Sequence, residues 1–548
     1  MNILNINDFS FNTKKQNTLL FAILLLGIGI RFFHFFDNRS LWMDEVYLST
    51  SIVKLNLHDL ITQPLYYQQK APIGFLILVK LCTSLFGNNE MALRTIPLLS
   101  GLLSLLFFIP VSKFYLNNRA SLLALAILSL SPALIYHSVE IKQYSTELLG
   151  TVLCLWLMIK FRERTQKKSI FLWGLYGACI IWFSYSSIFI LAGIGIGLSI
   201  KYLLQKNWNL FLLNLIPSFI WILSFGLNYL LFTHKHAESE WIAYWFRAYD
   251  NFMPFPPNSI SDLKWFLMNF YRMIDYPLGL LWNFNSLSKH QIVNVILKMP
   301  FLPIAFLILG FFVFFKKNKY DIIILSIAIL LMFLASGLEL YPLTERFWVF
   351  ISPLFIIILA KGFEAFTNRY QAKTLITALF CLILVGPVSQ SFAFTINPDL
   401  FYIHKKSYQR EALFYINNHY EKGDAVYVYW NNLPGYKLYK EMYSFKFKAI
   451  EGHDFRNKSG DFDGYLENLK PDFEKFAANP RVWIVFNTHF LTDIGDKIDE
   501  PKWYYNRKDA AQTILLRRFS KNYFVIKKFS KKDLSIYLMI PKISVKSL

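Results

Sequence analysis

Long apolar runs separated by short polar connections fill roughly the first seven-tenths of the chain. The runs are Thr18–Phe36, Arg94–Tyr115, Ser121–His137, Tyr144–Phe161, Ile170–Tyr185, Ser187–Leu204, Leu210–Phe232, Val295–Phe315, Asp321–Leu338, Phe347–Ala360 and Thr374–Ser391. Each approaches the roughly 20 residues an α-helix needs to cross a bilayer, so the pattern predicts a polytopic helical membrane protein with about 11 transmembrane helices. Pro72–Phe86 is apolar too, but it is short and Lys80 interrupts it. It reads as an amphipathic helix lying at the membrane surface. From about Phe392 the pattern changes to strand-length apolar runs in a charged background. Ala425–Trp430, Val482–Asn487, Tyr523–Lys528 and Leu534–Ile540 read as strands. Tyr408–His419, Phe462–Ala478 and Lys508–Phe519 read as helices. The expected organisation is a membrane domain over 1–391 and a small α/β domain over 392–548.

Charge orders these elements. The chain carries a formal net charge of +21 with a mean hydropathy of +0.34. Lys and Arg collect in alternate connections: Lys113 and Arg119; Lys160 to Lys168; Lys201 and Lys206; Lys316 to Lys319; Lys361 to Lys373. With eleven spans and a cytoplasmic N-terminus, all of these connections fall on the cytoplasmic side. The loops 37–93, 137–143, 233–294 and 337–346 then share the outer face with everything after 392. No basic stripe of the groove-reading kind appears, which argues against nucleic acid. The four cysteines lie in apolar segments without paired spacing and read as small core residues. The run after Lys14-Lys15 lacks a cleavage site and reads as a retained span of a multi-pass protein of the bacterial cell membrane.

The outer connections carry the candidate chemistry. Asp44 and Glu45 follow the first span, with Ser40 as a plausible helix cap. Lys70 precedes Pro72, and the second outer connection holds His137, Glu140, Lys142 and Tyr144. The long loop holds Lys235, Glu238, Glu240, Arg247 and eight Trp or Tyr residues (Trp241, Tyr244, Trp245, Tyr249, Trp265, Tyr271, Tyr276 and Trp282). The last outer connection carries Glu345 and Arg346. Each has a plain alternative: solvated loop charges, snorkelling cations at helix ends, a Glu140–Lys142 pair, an aromatic belt at headgroup depth. The aromatic loop would otherwise be a lid that stacks on sugar rings or covers a lipid carrier. Carboxylates and cations crowded at one membrane face suit transfer from an anionic lipid-linked donor to a hydroxyl. A carboxylate takes the hydroxyl proton, and cations hold the departing phosphate.

The stretch Leu41-Trp42-Met43-Asp44-Glu45 resembles the acidic signature of the GT-C class of membrane glycosyltransferases. The resemblance is to glycosyltransferase family 39 and its protein mannosyltransferase-like (RgtA/B/C/D-like) bacterial relatives. Lys70-Ala71-Pro72, the block Asn89–Pro97 with Arg94, Ser138–Tyr144 and Glu345-Arg346 resemble further segments of that family. The likeness spans about Arg31 to Ala360 and leaves the C-terminal domain uncovered.

The resemblance implies a polyprenyl-phosphate sugar donor and inverting single displacement. Asp44 would be the general base and Glu45 its support or the acceptor's. Lys70, Lys142 and Arg346 would bind the donor phosphate. Glu140, Tyr144 and Glu345 would position the acceptor or sugar. The acceptor would be a lipid, glycan or protein hydroxyl. No cofactor is expected, and no metal signature is present. The competing reading is a transporter or flippase of lipid-linked glycans. Such proteins place ionisable groups at the bilayer midplane, whereas here they gather at one edge.

Overall fold

The computed structural model describes residues 10–11, 13–234, 240–283, 291–487, 501–505 and 509–542. Each predicted apolar run contains a helix. The chain opens with α1 (Lys14–Asp37), α2 (Met43–Lys54), α3 (Leu57–Thr62), α4 (Ile73–Phe86), α5 (Glu90–Tyr115), α6 (Asn118–Leu130), α7 (Pro132–His137) and α8 (Tyr144–Phe161). It continues through α9 (Lys167–Phe183), α10 (Ser187–Leu204), α11 (Trp208–Asn228), α12 (Glu240–Ala248), α13 (Ile260–Asp275), α14 (Gln291–Leu297), α15 (Phe301–Lys317), α16 (Lys319–Gly337), α17 (Ser352–Arg369) and α18 (Lys373–Ile396).

Among the described residues, seven helices are long and apolar enough to cross a membrane: α1, α5, α8, α10, α11 with its continuation to Thr233, α16 and α18. The other four predicted spans are helical but fall short. α9 and α15 have 17 residues each. α17 carries Lys361, Glu364 and Arg369. Ser121–His137 breaks at Ser131-Pro132 into α6 and α7. That break has a partner. Pro132 has no N–H for the Leu128 carbonyl, so the freed groups need another donor. Arg31, buried in α1, supplies it, with Nη2 donating to Leu128 O at 3.3 Å and Nη1 to Ser129 O at 2.8 Å.

The basic connections meet at one end of the bundle. There Lys113 bonds Ser10 O, Asn118 bonds Gln16, Lys361 bonds Tyr115 O, and Arg162 pairs with Asp321 at 3.0 Å. The segments that carry the candidate chemistry lie at the opposite end. α4 is the helix expected over Pro72–Phe86; its face through Phe75, Leu76 and Val79 is buried, and Leu81, Leu85 and Phe86 are exposed.

After α18 come α19 (Gln409–His419), β1 (Ala425–Val428), α20 (Leu433–Met442), β2 (Ile450–Glu451), β3 (Val482–Asn487), β4 (Tyr523–Ser530) and β5 (Leu534–Pro541). The sheet order is β2-β1-β3-β5-β4, with β1 parallel to β2 and β3, and β5 antiparallel to β3 and β4. β2, only two residues long, has no legible pattern in the sequence. The expected helix Phe462–Ala478 is two short helices, Phe462–Asn468 and Lys470–Glu474, split before Pro471. The start of the expected helix at Lys508 lies outside the described residues; the observed helix is Ala511–Asn522.

Alternate strand residues face opposite ways, as the period of two demands. Tyr427, Val482, Ile484 and Phe486 pack with Tyr465, Leu515 and Phe519 on one face. Val426, Val428, Trp483, Val485 and Ile536 pack on the other against Leu48, Ile52, Phe75 and Leu76 of α2 and α4. The sheet and the first outer loop therefore share one core.

Candidate active site

α2 is entered through Trp42, whose backbone is extended (φ −82°, ψ 171°), and its first turn carries both acids. Ser40 is not the cap. Its hydroxyl instead lies 3.0 Å from Tyr439 Oη and accepts from the Arg410 backbone N–H at 3.0 Å.

Asp44 and Glu45 are adjacent in sequence but point to different environments, because successive helical residues are turned about 100° apart. Asp44 is paired with Arg346 Nη1, which arrives from the short 3₁₀ turn Glu345–Trp348 before α17. Burial alone would push the Asp44 carboxyl up. Arg346 and Lys142 more than offset this and hold it below the usual carboxylate range.

Glu45 is 0% exposed. Arg94 Nη2 donates to its two oxygens at 3.2 and 3.3 Å, and Arg39 Nη2 lies 3.6 Å from Oε2. The backbone N–H groups of Ile141 and Trp42 donate to it at 3.0 and 3.3 Å. These partners all belong to the protein itself. Through these contacts Glu45 ties α2, α5 and the 138–143 turn together behind Asp44.

Glu140 does not pair with the Lys142 side chain. It binds His137 Nδ1 at 2.7 Å and accepts from Trp42 Nε1 at 3.3 Å and Tyr136 Oη at 3.4 Å. Opposing its burial, His137, Lys405 and Arg346 hold its carboxyl far below the ordinary range. The far nitrogen of His137, Nε2, contacts Tyr276 Oη from the aromatic loop. Lys142 is buried beside Asp44, and its Nζ donates to Gln69 Oε1 at 2.6 Å. Burial pulls its ammonium down, with Asp44 opposing. Tyr144 is buried, with its ring 5.9 Å from the Arg346 guanidinium carbon. Glu345 pairs with Lys405 at 3.1 Å. Lys70 is half-buried at the entry to α4 and has no protein partner among the described residues; burial lowers its ammonium.

Asp44, Glu140, Lys142, Tyr144 and Arg346 thus form one cluster, with Lys70 at its margin and Glu345 behind Lys405. Arg247 pairs with Glu339 on the surface. Lys235 and Glu238, and the side chains of Glu240 and Trp241, lie outside the described residues.

Sequence reasoning did not assign Lys405, Arg39 or Tyr439, and it placed Tyr276 only as one ring of the aromatic loop. Lys405 sits among the rings of Trp42, Tyr136 and Tyr276 at 5.5 to 5.7 Å. It lies 60 residues from Glu345, so no local pattern signals it. Arg39 stacks on Tyr136 at 4.3 Å, and its run of aromatic neighbours was the one visible sign. The C-terminal domain grips the same loop. Tyr439 Oη accepts from the Leu41 N–H at 2.8 Å, and Arg410 binds Glu90 at 2.8 Å and Asn38 O at 2.7 Å. Below the cluster, an apolar groove of about 780 Å³ runs between α4, α5, α8 and α9. Leu78, Ile96, Thr146, Leu153, Ile180 and Phe183 are among its lining residues.

Residues 70–237 match the family described as dolichyl-phosphate-mannose-protein mannosyltransferase. That segment runs from Lys70 past the Glu140–Tyr144 turn. Nothing among curated proteins matches the sequence. The whole fold is similar to ArnT from Cupriavidus metallidurans bound to undecaprenyl phosphate, with a TM-score of 0.56 over 96% of this chain and 98% of that one, at 12% identity. The chain has the fold of the GT-C glycosyltransferases. The oligosaccharyltransferase of Archaeoglobus fulgidus in complex with Zn and sulfate is a second GT-C match, with a TM-score of 0.51 over 95% of this chain and 72% of that one, at 11% identity. The GT-C fold here carries its small sheet domain at the C-terminus, packed on the first loop.

Proposed function

We propose that the protein moves a sugar from a polyprenyl-phosphate donor to an acceptor hydroxyl on the outer face of a bacterial cell membrane, with inversion. The Asp44–Arg346 pair, in a fold that also holds an apolar groove between α4, α5, α8 and α9, carries this reading. Asp44 is the base that takes the hydroxyl proton. Arg346 keeps Asp44 ionised through Nη1. Its Nε and Nη2 have no protein partner among the described residues, so one planar fork serves both the base and the donor phosphate. Lys142, bonded to Gln69, and the adjacent Lys70 add positive charge. The leaving phosphate gains charge as the glycosidic bond breaks, and these cations stabilise it most in the transition state. Glu140, fixed by His137 and Trp42, stands across the cluster as a positioning carboxylate. Tyr144 flanks Arg346 and Glu345 orients Lys405. ArnT bound to undecaprenyl phosphate has this fold, which supports a polyprenyl donor here. The decisive assay is transfer from a labelled polyprenyl-phosphate sugar by purified protein, alongside envelope glycan profiling of a deletion strain. Absence of transfer from any such donor would overturn the reading.

The groove makes a separate prediction. Its lining takes the prenyl chain, and its upper wall at Ile96 and Thr146 lies near the Lys142 turn. Leu153→Trp fills the groove well below the ion cluster. It should raise KM for a long-chain donor by about tenfold, the worth of roughly two buried methylenes. A donor with a short prenyl chain should show little change. Equal effects on both donors would place the chain elsewhere.

The grip of the C-terminal domain makes another. Tyr439→Phe removes the acceptor for the Leu41 N–H and the partner of Ser40. It should lower kcat by about tenfold, equivalent to ~1.4 kcal/mol, with donor KM retained. Unchanged kcat in a folded Tyr439→Phe protein would show that the loop holds its shape alone.

A further inference from the structure

Between α3 and α4 the chain makes a tight turn in which Tyr67 and Gln68 both have left-handed backbones, φ 56° and 52°. Two consecutive non-glycine residues hold this conformation only where their surroundings over-determine it. Three bonds do so here. The Tyr66 N–H donates to Ser51 Oγ at 2.9 Å, Gln69 Nε2 donates to Tyr67 O at 3.3 Å, and Lys142 Nζ donates to Gln69 Oε1 at 2.6 Å. The turn is thereby tied to the ion cluster itself.

The turn lays the Tyr67 ring flat on Tyr47, with centroids 4.4 Å apart and planes at 19°. Tyr47 is three residues after Asp44 on α2, on the same helix face. Packing alone would bury such a stack, yet Tyr67 is 41% exposed and its neighbour Tyr66 45%. Cations of the C-terminal domain border it. Arg456 acts on the Tyr47 hydroxyl and Lys437 on that of Tyr67. Arg456 itself lies 3.8 Å over Trp430, and Lys437 is 3.0 Å from Glu451.

We propose that Tyr47, Tyr66 and Tyr67 form the acceptor platform and that the acceptor is a carbohydrate. A flat, half-open aromatic stack matches the apolar C–H face of a pyranose ring. The polar rim of Gln68, Lys437 and Glu451 matches the hydroxyls around that ring's edge. A peptide would instead be gripped along its backbone, and the strand edge beside the platform, β2, is only two residues long. Tyr47, against which Tyr67 stacks, lies one helical turn from Asp44, so the proposed platform sits beside the proposed base. The proposal rests on the transferase reading, of which it specifies the acceptor.

The test uses detergent-purified full-length protein without donor. Saturation-transfer NMR is run with methyl hexosides and maltotriose, and with an acetylated Ser/Thr peptide. Ring-proton signals from one or more saccharides are expected, weakened about fivefold by Tyr67→Ala. Tyr67→Phe, which keeps the stack, should retain them. Signals unaffected by Tyr67→Ala, no saccharide signal at all, or Tyr67-dependent binding of the peptide alone would each overturn the proposal. Polyprenyl-phosphate binding, measured on the same samples by native mass spectrometry, separates the two claims. Its loss in the wild-type protein would sink the donor assignment while leaving the platform standing.

Discussion

Asp44→Asn should lower sugar transfer by about a thousandfold while leaving donor binding close to normal. The substitution keeps the volume and an oxygen for Arg346 but removes the group proposed to accept the proton. Asn is a good surrogate because Asp44 is only partly enclosed and Arg346 is flanked by the Tyr144 and Phe347 rings, which hold its place. Turnover of the purified variant is the measurement, and near-normal turnover would remove Asp44 from the role of base. The pH profile supplies a second check. Arg346 and Lys142 hold the Asp44 carboxyl below its ordinary value of 3.8. The ionised form is the working one, so the rate it carries persists as pH falls through the usual carboxylate range. Arg346→Ala removes the main opposing charge and lets burial dominate. The acid limb should therefore move to higher pH, in addition to a rise in donor KM.

Glu45→Ala should cost stability rather than a single chemical step, by roughly 3–5 kcal/mol. The wild-type carboxylate neutralises Arg94 and Arg39, which are 1% and 6% exposed, and accepts two backbone N–H groups. Alanine leaves buried cations and the Ile141 N–H without their acceptor. A strongly lowered melting temperature in detergent is expected, with little folded protein recovered. Glu45→Gln keeps the shape and some of the hydrogen bonds, so it should lie between the two. A Glu45→Ala protein with wild-type melting and no activity would return Glu45 to the chemistry.

The contrast between these neighbours marks the limit of what the sequence reveals. An acidic pair at a membrane edge is conspicuous because ionised groups there are costly. Helix periodicity says that the two point different ways, but not which way faces the cleft. That depends on Arg94 and Ile141, which are 49 and 96 residues away. The helical runs were legible because burial in lipid or protein requires long apolar stretches. The break at Pro132 was less so, because its repair by Arg31 comes from another helix. In the sheet domain, β3 was legible to the residue since five of its six residues are buried. β2 was not, having two residues and only partial burial. Glu140 and Lys142 illustrate a third case. Their spacing suggested a mutual pair, but the turn sends one to His137 and the other to Gln69.

The contact between Ser40 and Tyr439 joins residues 399 positions apart. A ribosome adding about 5–20 residues per second needs roughly 20–80 s to make the intervening chain. Throughout that interval the loop carrying Asp44 exists without the tyrosine and arginine that fix it. Nascent chains and products cut short before α19 should therefore have lower turnover than the full chain, whatever their insertion state. Synthesis itself acts as the timer: the carboxylate is made near the beginning, and the part that sets it in place is made near the end.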